Sequence, residues 1–96
     1  TLLGPIGPEL SGIYYDEAQT YFRQEHLALA NEFFERALYY DAGNKDALYF
    51  LGRSYQKNGD AEKAVETFQK VLELFPGSDR VRDTKRYLRE LGVTVE

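Results

Sequence analysis

Shifted against itself by 34 residues, the chain repeats its own pattern of large and small side chains. Tyr15 falls on Tyr49, Tyr21 on Tyr55, Ala30 on Ala64, Glu32 on Glu66, Phe34 on Phe68, Leu38 on Leu72 and Gly43 on Gly77. Looser matches keep the register: Ala18 on Gly52, Ala37 on Val71, Ala42 on Pro76. Identity at a fixed period marks stacked units, each unable to bury its apolar face alone. A chance amphipathic bundle would keep helical spacing but not this register.

Within each unit the apolar residues recur at helical spacing. Leu48, Leu51, Gly52 and Tyr55 share one face of a segment from Lys45 to Lys57; Ala64, Phe68 and Val71 share one face of a segment from Ala61 to Leu74. Asn58-Gly59-Asp60 reads as the turn between them, with Asp60 the N-cap of the second helix. The earlier unit reads the same way. Its first helix is placed over Gly12–Glu25 with Ser11 as N-cap and Tyr14, Ala18 and Tyr21 on one face. Its second is placed over Leu27–Tyr40 with Ala30, Phe34, Ala37 and Leu38 buried, ended by the break at Asp41–Asn44, where Gly43 suits a helix terminus.

The ends differ. Residues 1–10 carry Gly4-Pro5 and Gly7-Pro8, which read as an extended lead-in or linker. After Pro76, which cannot continue a helical ladder, Ser78 is placed as the cap of a fifth helix over Asp79–Leu91, with Gly92 closing it and 93–96 a short tail. In strict register the packing positions of this helix hold Arg82, Lys85, Arg86 and Arg89; slipped by one residue they hold Val81, Thr84 and Leu88. A capping helix with a polar outer face suits the end of an array; the first half of a third repeat is the other reading.

Composition bounds the function. The 96 residues suffice for one small domain. No cysteine and one histidine leave no thiolate or multi-histidine metal site. Twelve basic and 16 acidic residues give a net charge of -4, which argues against general binding to nucleic acid or an anionic membrane. No apolar run is long enough to span a bilayer, so membrane insertion is not expected. A chain that begins at Thr1 and holds no methionine is read as a fragment or a processed chain.

These residues resemble the tetratricopeptide repeat family. The second unit carries the pattern nearly whole: Leu48, Leu51-Gly52, Tyr55, Gly59, Ala64, Phe68, Val71 and Pro76. The first carries Tyr14, Ala18, Tyr21, Ala30, Phe34 and Ala37, and departs at Glu17, Glu25 and Ala42, as an end repeat would. The resemblance implies an all-α fold: two tandem helical hairpins (11–44 and 45–78) and a capping helix (79–91) in a right-handed α-solenoid spanning 11–92. The second unit also looks like repeats of bacterial envelope and periplasmic assembly proteins. A soluble chain is expected, with cytoplasm and periplasm or envelope both left open.

In such arrays the first helix of each pair lines a concave groove that holds a peptide or a partner helix. By helical position that face includes Tyr15, Gln19, Phe22 and Arg23, then Asp46, Tyr49, Phe50, Arg53 and Lys57, then Arg80, Asp83 and Tyr87. Aromatic rings interleaved with arginine have the composition of a binding patch. The positions that clamp a terminal carboxylate in some family members fall on Tyr15, Gln19, Phe50, Arg80 and Thr84; only Arg80 keeps the expected basic character, so a chaperone-tail receptor is not expected.

Catalysis is not expected, nor a cofactor. His26 beside Glu25 is alone, Ser11, Ser54 and Ser78 have no His-plus-acid spacing, and Gly4-Pro5-Ile6-Gly7 lacks the lysine and preceding strand of a phosphate loop. The reading is a protein–protein interaction module that binds a protein or peptide in its groove. The alternative is a structural unit that stacks or forms a homo-oligomer, marked by an open apolar end near Tyr14, Phe33 or Leu88.

Overall fold

A computed structural model describes residues 6–96 as five α-helices: α1 (Gly7–Arg23), α2 (Leu27–Tyr40), α3 (Lys45–Lys57), α4 (Ala61–Leu74) and α5 (Val81–Glu90). No strand occurs among the described residues. α1 packs on α2, α2 on α3, α3 on α4 and α4 on α5, a serial order that gives a slab of 48 × 30 × 18 Å. The architecture is all-α and solenoid-like, because each helix meets chiefly its neighbours in sequence.

The two hairpins are copies in detail. Phe34 and Phe68 are both fully buried. The Tyr15–Phe34 ring pair lies at 5.9 Å and 57°, and its counterpart Tyr49–Phe68 at 6.2 Å and 56°. Both helix-to-helix turns close with the same backbone bonds: His26 N–H donates to Tyr21 O and Asp60 N–H to Tyr55 O, each at 2.9 Å. Glu25 (φ 64°) and Gly59 (φ 83°), equivalent by the repeat, both adopt the left-handed conformation that this closure requires. At the crossing of α3 and α4, a β-carbon on Gly52 would lie 2.7 Å from the Phe68 ring, so the small residue is what lets the helices approach.

The bounds of α1 and α5 differ from the sequence reading. α1 starts at Gly7, not Gly12, and stops at Arg23. Gly7–Leu10, expected in the lead-in, form its first turn; Thr1–Pro5 lie outside the described residues. Pro8 is compatible because the first helical turn needs no intrahelical N–H donor. Ser11 is therefore no N-cap. It is buried, donates to Ala37 O at 2.7 Å and accepts from Asn44 Nδ2 at 2.9 Å, which ties the extended start of α1 to the end of α2. A β-carbon on Gly7 would lie 2.6 Å from Tyr40 O, so the same close approach runs to the first residue of the helix.

α2 ends at Tyr40, capped by Asp41 in extended geometry and without a left-handed Gly43, whose N–H instead donates to Asp41 Oδ1 at 2.9 Å. Asn44 caps α3 by accepting from Ala47 N–H, and Asp60 caps α4 from Lys63 N–H, as expected for the latter. α5 begins at Val81 with Arg80 as its capping residue; Ser78 Oγ accepts from Arg80 N–H at 3.3 Å and so organises the turn before the helix. Thr84 and Leu88 are fully buried, whereas Arg82, Arg86 and Arg89 are exposed. Gly92, with φ 90°, ends α5 by the same bond pattern as the hairpin turns, with Val93 N–H on Leu88 O at 2.9 Å. Val93 and Val95 of the tail pack against the core without forming regular structure.

Candidate functional site

The first helix of each hairpin and α5 share one face, joined across the repeat boundaries by aromatic rings. Tyr15 and Phe22 of α1 reach Phe50 of α3 at 6.3 and 5.8 Å, and Phe50 stacks on Phe34 at 6.3 Å and 15°. On the other side, Tyr87 of α5 stacks on Phe68 at 5.7 Å and 11° and approaches Tyr49 at 6.3 Å. The core rings Phe34 and Phe68 thus form the underlayer, and Tyr15, Phe22, Phe50 and Tyr87 are the half-buried layer above it.

Cations sit on these rings. The Arg53 guanidinium lies 4.4 Å from the Tyr87 centroid and 5.9 Å from that of Phe22. Arg80 lies 4.7 Å from Tyr49 and 5.1 Å from Phe50, and Lys57 lies 5.2 Å from Phe22. Such contacts contribute about 0.5–1 kcal/mol each at exposed sites. Their larger effect is positional, since a flexible cation laid on a ring has fewer rotamers left to lose.

The carboxylates on this face are mostly paired. Asp46 holds Arg80 Nε at 3.0 Å, Glu25 holds Lys57 Nζ at 2.8 Å, and Asp83 meets Arg86 at 3.7 Å. Just outside it, Lys45 pairs with Asp79 at 2.8 Å, which holds the Asp79 carboxyl below its ordinary value and the Lys45 ammonium above it. Burial alone would weaken the charge on Arg80, but the Asp46 carboxylate outweighs it and holds the guanidinium above its ordinary value. Arg53 has no carboxylate at ion-pair distance among the described residues, and its Nε is buried without a hydrogen-bond partner.

Of the twelve residues placed on this face from sequence, Gln19 is half-buried and donates to the Tyr15 hydroxyl at 2.8 Å, and Arg23 is exposed. Tyr49 lies beneath the surface. It is 3% exposed, covered by Phe50, Tyr87 and Arg80, and belongs to the core. Burial pushes both the Tyr49 and Tyr15 phenols up, partly offset at Tyr49 by neighbouring Arg53 and at Tyr15 by the Gln19 hydrogen bond. Glu25, the partner of Lys57, was not among the sequence-derived site residues; the ion pair crosses between the turn of the first hairpin and the end of α3, a contact visible only once the hairpins are stacked.

Two other surfaces stand apart from this face. A cleft of about 350 Å³ between α2 and α4, floored by α3, is lined by Leu38, Leu48, Leu51 and Tyr55, with the Tyr55 hydroxyl donating to Glu35 at 2.5 Å. On the free side of the first hairpin, Tyr14 stacks on Tyr40 at 5.5 Å and meets Phe33 at 6.0 Å, and Tyr21 meets Phe33 at 5.2 Å. Phe33 is half-buried, Tyr40 is 38% exposed and Tyr39 83% exposed. At the other end Leu88 is fully buried, so it is not the open apolar end expected there. Among the described residues, no cluster of three or more His, Cys, Asp or Glu side chains could hold a metal ion, and no helix is long and apolar enough to cross a membrane.

A family model of the tetratricopeptide repeat matches residues 14–86. That span runs from the first ring of α1 to the middle of α5 and takes in both hairpins. No curated protein matches the chain.

Proposed function

The chain belongs to the tetratricopeptide repeat family, whose repeats generally mediate protein–protein interaction, and on that premise we propose that it binds a peptide or partner helix along the face shared by α1, α3 and α5. The observation that carries this reading is the half-buried, ring-floored strip from Tyr15 and Phe22 through Phe50 to Tyr87, with Arg53, Lys57 and Arg80 laid on its rings. Rings and guanidinium groups of this kind supply apolar area and charged hydrogen bonds at little conformational cost. The role is non-catalytic: the titratable groups on the face are spent in ion pairs and ring contacts rather than gathered around a common point.

A random-peptide display library selected on the intact chain tests the reading. Reversing Arg23 and Lys57 together to Glu, both exposed, should abolish binding of the selected peptides while the chain stays folded, with the lost Lys57–Glu25 pair lowering the melt only slightly. Reversing Glu66 and Lys70 on the exposed side of α4 should leave binding unchanged. The opposite pattern would place the partner on another surface.

The free side of the first hairpin favours a second reading. Tyr14, Tyr21, Phe33 and Tyr40 form a contiguous aromatic patch there beside Ile13, which is 56% exposed. Such a patch suits assembly with a further stacked unit. Sedimentation over a range of concentrations reads this out, and a monomer mass throughout would exclude self-association.

A further inference from the structure

The charge on the binding face is unlike that of the chain as a whole. The chain is net acidic, at -4, yet among the described residues Arg53 on the strip and exposed Arg23 at the end of α1 have no carboxylate at ion-pair distance. Arg53 is the more informative of the two. It stands on the middle helix of the face, with the Phe22 ring on one side and the Tyr87 ring on the other. Its Nε is buried and donates to nothing. A guanidinium in that position has lost part of its hydration and gained no carboxylate, which is an expensive state unless a partner supplies one. The rings on its flanks and the burial of Nε leave the terminal Nη edge of the guanidinium, where a carboxylate pairs through two parallel hydrogen bonds.

We propose that the partner segment is acidic and that one of its internal Asp or Glu side chains seats its carboxylate on the edge of Arg53, with apolar neighbours on the rings to either side. This rests on the binding-face reading above and adds the chemistry of the occupant. An internal residue fits better than a chain terminus. The floor continues past Arg53 in both directions, to Phe22 and Phe50 on one side and Tyr87 on the other. Of the other arginines laid on these rings, Arg80 is already neutralised by Asp46 and Arg86 lies 3.7 Å from Asp83, so the free positive charge is concentrated at Arg53. A nucleic-acid phosphate could use the same guanidinium, but the acidic balance of the chain opposes a polyanion along its length.

The test uses amidated synthetic copies of the library-selected peptides. Their consensus should contain an Asp or Glu. Replacing that residue by its amide, or Arg53 by Gln, should each weaken binding about tenfold or more, the scale of losing one charge-assisted pair. The two changes together should cost no more than either alone, and Arg53→Lys should retain part of the affinity. On the unmodified chain, the Arg53 Nε–H resonance should shift with the acidic peptide and not with its amide analogue, a readout independent of whether a variant folds. A consensus without an acidic residue, or two losses that simply add, overturns the acidic assignment while leaving the binding face in place if the Arg23/Lys57 reversal still abolishes binding. Peptides unaffected by that reversal overturn both. Stronger competition by an oligo(dT) strand than by the acidic peptide, or by free-acid peptides only, also overturns the proposal.

Discussion

Placing the same methyl group at two glycines separates helix propensity from packing in this fold. Gly12 and Gly52 both lie inside helices, where Gly→Ala is worth about 1 kcal/mol in favour of the folded state. At Gly12 a β-carbon meets nothing within 4 Å, so Gly12→Ala should deliver that gain in full. At Gly52 it would sit 2.7, 2.8 and 3.1 Å from three atoms of the Phe68 ring. The ring cannot swing aside freely, since it is fully buried, stacked on Tyr87 at 5.7 Å and tilted against Tyr49 at 6.2 Å. Overpacking of this kind costs about 1–3 kcal/mol. The first hairpin holds Ala18 at the equivalent position, so the helix pair has a way to open slightly, and the cost belongs within that range rather than above it. Gly52→Ala should therefore lie about 1–3 kcal/mol below Gly12→Ala, or roughly 5–20 °C in melting temperature for a domain of this size. Thermal and denaturant melts followed by circular dichroism measure the difference. In a Phe68→Leu background, Gly52→Ala should recover the helix-propensity gain. Equal stabilisation by the two alanines in the native background would refute the close crossing of α3 and α4.

Three further outcomes follow from individual residues. Glu25 holds a left-handed conformation that costs a side-chain-bearing residue about 1 kcal/mol, and its exposed pair with Lys57 returns less than that, so Glu25→Gly should raise the denaturant midpoint; a lowered midpoint contradicts it. The fully buried Thr84 hydroxyl oxygen has no partner, so Thr84→Val should stabilise by about 1 kcal/mol, and a destabilised variant would mean that the hydroxyl is satisfied. Burial, then the hydrogen bond to Glu35, pushes the Tyr55 phenol up, and burial does the same at Tyr15 and Tyr49. A folded-state pKa above the unfolded one gives stability that is complete below about pH 10 and declines as the pH rises past it, because the unfolded phenol releases its proton first. Alkaline titration should therefore show the last phenols ionising together with helix loss, and Tyr55→Phe should flatten the decline; complete ionisation with the helices intact contradicts this.

The second hairpin was legible because its signals are local and mutually consistent: apolar spacing, Asn58-Gly59-Asp60 and Pro76 all mark the same ends, and α3 and α4 occupy the predicted residues. The start of α1 was not. Gly7-Pro8 reads as a break, and the contact that makes it helical comes from Ser11 reaching Ala37, 26 residues away. Tyr49 shows the same limit at the binding face. Helical position puts it on the groove face of α3, and only the placement of Tyr87 and Arg80 over it buries it. The pairs Lys45–Asp79 and Asp46–Arg80 follow the repeat offset of 34 and were readable in principle; Lys57–Glu25, 32 apart, was not.

The most direct test of the account maps where a selected peptide lands on the isotopically labelled chain. The account predicts resonance changes at Phe22, Phe50, Arg53 and Tyr87, with Tyr14, Phe33 and the Tyr55 cleft unmoved. Changes confined to Tyr14 and Phe33, or to the cleft between α2 and α4, would contradict it.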